Sequence, residues 1–167
     1  MNEVLIFGKR VRFHNEIMNV AVTNLRDTLW IVPTQHLLRI RQIDVLPPLM
    51  LDNDPRFAGG GSGLGYPRLS ELSFDRHRRP QNFPLNLTLL HEIGHILDHA
   101  YGCLGNLTLE HRATLLAITI PASARTHGAG EHFAIAYQQV IAGRASEAVR
   151  AAVFSSRAFH GVDTVHP

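Results

Sequence analysis

Cysteine is nearly absent. Cys103 stands alone, which excludes an internal disulfide and any zinc cluster built from thiolates. Lysine is as scarce, with Lys9 the single example among sixteen basic residues. Fourteen acidic residues oppose those sixteen, so the net charge is a weak +2. The one local basic run, Arg76-His77-Arg78-Arg79, lacks an aromatic platform on which bases would stack. It reads as a solvated loop, and no nucleic-acid partner is expected. Pro, Arg or His interrupts every apolar run before it reaches the roughly 18 residues of a membrane span, so no membrane partner is expected either. The apolar part of MNEVLIFGKRVRFHNE is too short for a signal peptide, and its charge lies on the wrong side. The chain reads as cytoplasmic as it stands; secretion would need a leaderless route or a leader outside this sequence.

What is present suits one globular domain over residues 1–167: 45% of residues are hydrophobic and 18% charged. Residues 3–13 read as a strand or short hairpin, and Val32-Pro33-Thr34 opens a short amphipathic helix with Leu37, Leu38 and Ile40 on one side. Residues 43–55 read as extended, with Pro47-Pro48 barring ordinary ladder pairing. After the glycine-rich run 59–63, GLGYP and LSELSFD read as two short antiparallel strands joined at Pro67-Arg68. Residues 82–101 read as a helix capped by Asn82, with Pro84 in its first turn and Gly102 past its end. Further helices are expected over 108–119, 129–142 and 146–159. Strands first and helices later give an α+β class.

Eleven histidines is a high count, and three of them fall in LLHEIGHILDHAYG, residues 89–102. On a helix of about 3.6 residues per turn, His91, Glu92, His95, Asp98 and His99 share about one third of the circumference. Leu89, Leu90, Ile93, Ile96, Leu97 and Ala100 take the opposite side. His91 and His95, one turn apart, can grip a single ion. Glu92 stands beside that ion rather than facing it, where a base must be to take a proton from an activated water. HEIGH thus matches the H-E-x-x-H zinc-hydrolase motif. His99 lies about 12 Å along the axis from His91, too far to share the ion. Asp98 is either a hydrogen-bond partner behind the ligands or a plain exposed carboxylate.

A catalytic zinc needs a third protein ligand and one open position. Glu131 opens a new helix and faces away from Phe133, Tyr137 and Val140. It is either that ligand or a first-turn glutamate favoured by the helix dipole.

HEIGHILD at 91–98, followed by GEHFAIAY at 130–137, resembles the gluzincin type of metallopeptidase. It looks most like the small bacterial branch around anthrax-lethal-factor-like and Pro-Pro endopeptidases. The match covers residues 85–143. The resemblance implies a minimal zincin-like domain: a small antiparallel or mixed sheet over a cleft, an active-site helix and a C-terminal helical part. It implies one Zn²⁺ per chain on His91, His95 and Glu131, Glu92 as general base, and hydrolysis of a peptide or protein substrate. The glycine-rich segment and the strand near Tyr66 would form the cleft rim, where an extended substrate adds as a strand. Two positions depart from that branch. Ala124 stands where it commonly has an oxyanion-stabilising tyrosine, and Ile135 where it often has a second acid. His127 or Arg125, and more weakly Tyr66 or Tyr101, would then take the oxyanion role. Without it, the alternative is a zinc-binding regulatory or binding module that lacks efficient proteolysis.

Overall fold

The computed structural model describes residues 2–56, 59–62, 64–80, 84–121, 128 and 130–161. Strands β1 (Asn2–Ile6) and β2 (Lys9–Phe13) form an antiparallel hairpin. Its two-residue turn places both Phe7 and Gly8 at positive φ, +48° and +72°, the primed geometry that matches strand twist. Strand β3 (Gln42–Leu46) runs parallel to β2, and β5 (Arg68–Ser70) parallel to β3. The two-residue β4 (Gly60–Gly61) closes the sheet antiparallel to β5, giving the order β1-β2-β3-β5-β4. Val11, Phe13, Ile43, Val45 and Leu69 alternate onto one face and are fully buried. Helices pack on this mixed sheet, and the α+β class expected from the sequence is the class observed.

Parallel pairing of β2 with β3 requires a crossover. Helix α1 (Asn19–Trp30) lies within it, and α2 (Thr34–Leu37) follows. The sequence reading contained no α1. Its inward positions recur at helical spacing, but two of them are polar: Ala21, Asn24, Leu25, Thr28 and Leu29. Burial of a polar group is tolerated when it is hydrogen-bonded, and both are. Thr28 donates to the Asn24 carbonyl at 2.7 Å and accepts from the Asn86 amide at 2.8 Å. The Asn24 side-chain amide donates to the Pro84 carbonyl. These bonds fasten α1 to the start of α3 (Leu87–Tyr101), the helix that carries HEIGH.

Helix α3 is shorter than the sequence implied. Asn86, not Asn82, caps it, accepting from the Leu89 amide at 2.9 Å; Asn82 lies outside the described residues. Gly102 ends it in the left-handed conformation, as expected. Ala100 is exposed rather than on the buried face. LSELSFD is not a strand beyond Ser70: Ser70 caps a single 3₁₀ turn over Glu71–Phe74. GLGYP is not a strand either; β4 supplies the antiparallel partner of β5. Residues 43–55 are extended to Leu46 and then turn through Pro48–Met50. Helices α4 (Leu109–Leu116), α5 (Gly130–Ile141) and α6 (Glu147–Phe154) fall where expected, α6 ending early at a 3₁₀ turn over Arg157–Phe159. Among the described residues, no helix is long and apolar enough to cross a membrane.

His36 on α2 ties three elements together inside the core. Its Nε2 lies 2.8 Å from the Ala158 carbonyl, so that nitrogen carries the proton. Its Nδ1 then accepts from the Tyr137 hydroxyl at 3.0 Å. Burial holds its pKa below the usual histidine value, although the Ala158 bond opposes this. The unfolded chain therefore binds a proton at His36 more readily than the fold does. Stability from this group is full above the ordinary value of about 6.5 and falls as pH drops below it. Melting temperature should decline from pH 7.5 to 5.5, and His36→Gln should flatten that decline. Equal slopes in both proteins would assign the acid sensitivity elsewhere.

Candidate metal centre

Three donors from two helices meet at one point. On α3, His91 and His95 present their Nε2 atoms 3.0 Å apart, with the rings perpendicular. From α5, Glu131 brings Oε2 to 3.2 Å from His91 Nε2 and Oε1 to 3.0 Å from His95 Nε2. A tetrahedral zinc site with bonds of about 2.0–2.1 Å spaces its donors by about 3.3 Å. The observed spacings fall close to that, so the donor set fits a small divalent ion. Both histidines are half-buried, whereas Glu131 is 3% exposed. Burial, and then the neighbouring His91, lower the pKa of His95 despite Glu131 and Asp98. His95 therefore stays neutral, the form in which imidazole binds a metal.

The meeting of α3 and α5 depends on Gly94. A Cβ at that position would lie 2.7 Å from Ala134 Cα and 3.1 Å from its carbonyl oxygen. Absence of a side chain lets the two backbones touch, one turn of α5 beyond Glu131. The close approach brings the carboxylate to the histidines.

Glu92 is 5% exposed and faces β4 rather than the three donors. A Cβ on Gly60 would sit 2.9 Å from Thr88 Cγ2 and 3.2 Å from Glu92 Oε1, so β4 lies directly against this polar side of α3. Burial raises the Glu92 pKa to about 7, and the Glu131 charge adds to the rise. His91, a hydrogen bond with Ser62 and the Arg68 charge hold it back. A carboxyl poised near neutrality can both accept and return a proton.

The other candidates are placed less centrally. His99 is exposed. Asp98 accepts from the Leu104 amide at 2.9 Å and thereby clamps the end of α3; its Oδ2 also lies near Gly130, as His95 Nδ1 does. Tyr101 accepts from Arg39 Nε at 2.9 Å. Tyr66 is not on a strand and lies under the Arg41 guanidinium. His127, Ala124 and Arg125 lie outside the described residues. Cys103 is buried, and burial pushes its thiol up to about 12, so it is no nucleophile. The sequence singled out the run GGGSG for close approach at the cleft rim but not Gly60 and Ser62 individually, because the run carries no sign of which member touches α3. Comparison with protein-family models, curated proteins and solved structures found no match for this chain.

Proposed function

We propose that this chain is a zinc-dependent peptide hydrolase in which His91, His95 and Glu131 hold one metal ion and Glu92 moves the proton. Three donors within 4.8 Å of one another, beside a buried glutamate that is not one of them, carry the reading. Zinc held there would acidify the attacking water and polarise the scissile carbonyl. Glu92 accepts the proton from that water at its carboxylate and returns it to the leaving amine. Ser62 and the wall of β4 keep its carboxyl in place. Strand β4 ends the sheet order, so its outer backbone edge can receive an extended peptide beside Glu92. The zincin-like architecture and the gluzincin resemblance belong to this proposal. A peptide or protein is the substrate.

Elemental analysis after zinc reloading, together with cleavage-site profiling on a proteome-derived peptide library, tests the proposal. One zinc per chain and discrete cleavage sites are expected. Glu131→Ala should weaken zinc binding by more than about 100-fold, beyond the loss typical of a group behind the ligands. Less than about a tenth of an equivalent of zinc in the wild type would refute the assignment, since a site of three protein ligands retains its ion. Full occupancy with no cleavage would leave a zinc-binding module.

A further inference from the structure

The basic run 76–79 does not behave as the uniform solvated loop its composition implies. Arg78 is spent on Asp75, its Nε 3.3 Å from the carboxylate. Arg79 turns the other way. It is half-buried, and its Nη1 donates to Thr88 Oγ1 at 3.1 Å. Thr88 lies in the first turn of α3, one turn before Glu92, and its methyl group touches the same Gly60 that Glu92 faces. Among the described residues, no carboxylate lies within ion-pair distance of Arg79. Burial holds its pKa below the usual arginine value, with no acidic neighbour to offset it. A partly desolvated guanidinium without a carboxylate partner gives up hydration that an anionic ligand would repay.

A second arginine approaches from the other side of β4. Arg68 pairs with Gly61 across the β4–β5 ladder, and its Nη2 lies 3.7 Å from where a Gly61 Cβ would stand. Its charge reaches Glu92, and no salt bridge engages it among the described residues. A Cβ on Gly60 would face α3 and one on Gly61 would face Arg68, so the half-buried Arg79 and the exposed Arg68 flank the two-residue edge strand on opposite faces. Guanidinium binds carboxylate by paired, charge-assisted hydrogen bonds, so this rim is complementary to acidic side chains on an extended chain.

We propose that Arg79 and Arg68 form a specificity site for acidic residues, Asp or Glu, at neighbouring positions of a peptide lying along β4, whose alternate side chains face the two sides of that strand. The inference rests on the hydrolase reading for the identity of the bound chain as a substrate, while the binding itself can be measured without turnover. The experiment uses zinc-loaded Glu92→Gln protein and fluorescent peptide pairs identical except for Glu or Gln at one scanned position. Fluorescence anisotropy gives the affinity ratio within each pair. At the position beside Arg79 the Glu peptide should bind at least about tenfold more tightly, as expected for a charge-assisted pair, with a smaller preference at the neighbouring position beside Arg68. Arg79→Gln should bring the first ratio close to one, Arg68→Gln should do the same to the second, and high salt should weaken the Arg68 preference more. Equal affinities for Glu and Gln peptides at every position overturn the proposal, as does a preference that survives both substitutions. Failure of peptides to bind at all overturns it too. A wild type that binds acidic peptides and cleaves none would retain the specificity site and refute the hydrolase. Cleavage indifferent to acidic residues would do the reverse.

Discussion

Glu92→Gln should lower peptide hydrolysis by about 10³-fold, the middle of the range for loss of general acid–base catalysis, and leave one zinc per chain. The two results belong together because the residue is near the donors without being among them. Gln keeps the size of the side chain and an oxygen that can accept from Ser62. It lacks the basic carboxylate that takes a proton. The substitution also has a signature in stability. In the metal-free protein, burial raises the Glu92 pKa to about 7 from its ordinary 4.5. A raised carboxyl contributes stability that is full below about 4.5 and lost as pH climbs through about 7. Glutamine never ionises, so metal-free Glu92→Gln should melt at a higher temperature than wild type at pH 8, with the gap closing toward pH 4. Retained turnover would remove Glu92 from the mechanism. A lower melting temperature at pH 8 would contradict its buried, disfavoured charge.

Gly94→Ala is the second large effect, and it acts without touching any donor. The added methyl group would meet Ala134 Cα at 2.7 Å, its carbonyl oxygen at 3.1 Å and its carbonyl carbon at 3.3 Å. All three are backbone atoms, so no side-chain rotation relieves the clash. Carbon atoms prefer separations of about 3.5–4.0 Å, so α5 must retreat by about 1 Å. Overpacking of this kind costs about 1–3 kcal/mol, and the better helix propensity of alanine returns about 1 kcal/mol. Net destabilisation is therefore modest. The metal is less forgiving, because its bonds tolerate about 0.2 Å and Glu131 rides on the helix that moves. Zinc affinity should drop by at least about tenfold, comparable to disturbing the groups that orient a ligand. A competition titration with a zinc chelator, run beside thermal melts, measures both. Unchanged zinc affinity would mean that the approach at Gly94 does not position Glu131.

Local pattern alone determined the half of the site that lies on one helix. A period of 3.6 residues places His91, Glu92 and His95 on one side of α3 wherever that helix sits, and Gly102 marks its end. The α+β class and helices α4 to α6 were equally legible, because apolar periodicity and end signals are short-range properties. Helix α1 was not, since Asn24 and Thr28 occupy inward positions and are completed by Pro84 and Asn86, far along the chain. LSELSFD stopped being a strand after Ser70, because Ser70 also caps a turn that competes with ladder pairing. The sequence left Glu131 as either a ligand or a dipole glutamate, and only the tertiary structure brings it to the two histidines, through backbone contact between Gly94 and Ala134. The tertiary structure also separated Arg79 from Arg78: identical neighbours in sequence, one neutralised by Asp75 and the other drawn against Thr88. Charge and spacing are written in the chain, but desolvation and the choice of partner arise only when distant segments pack.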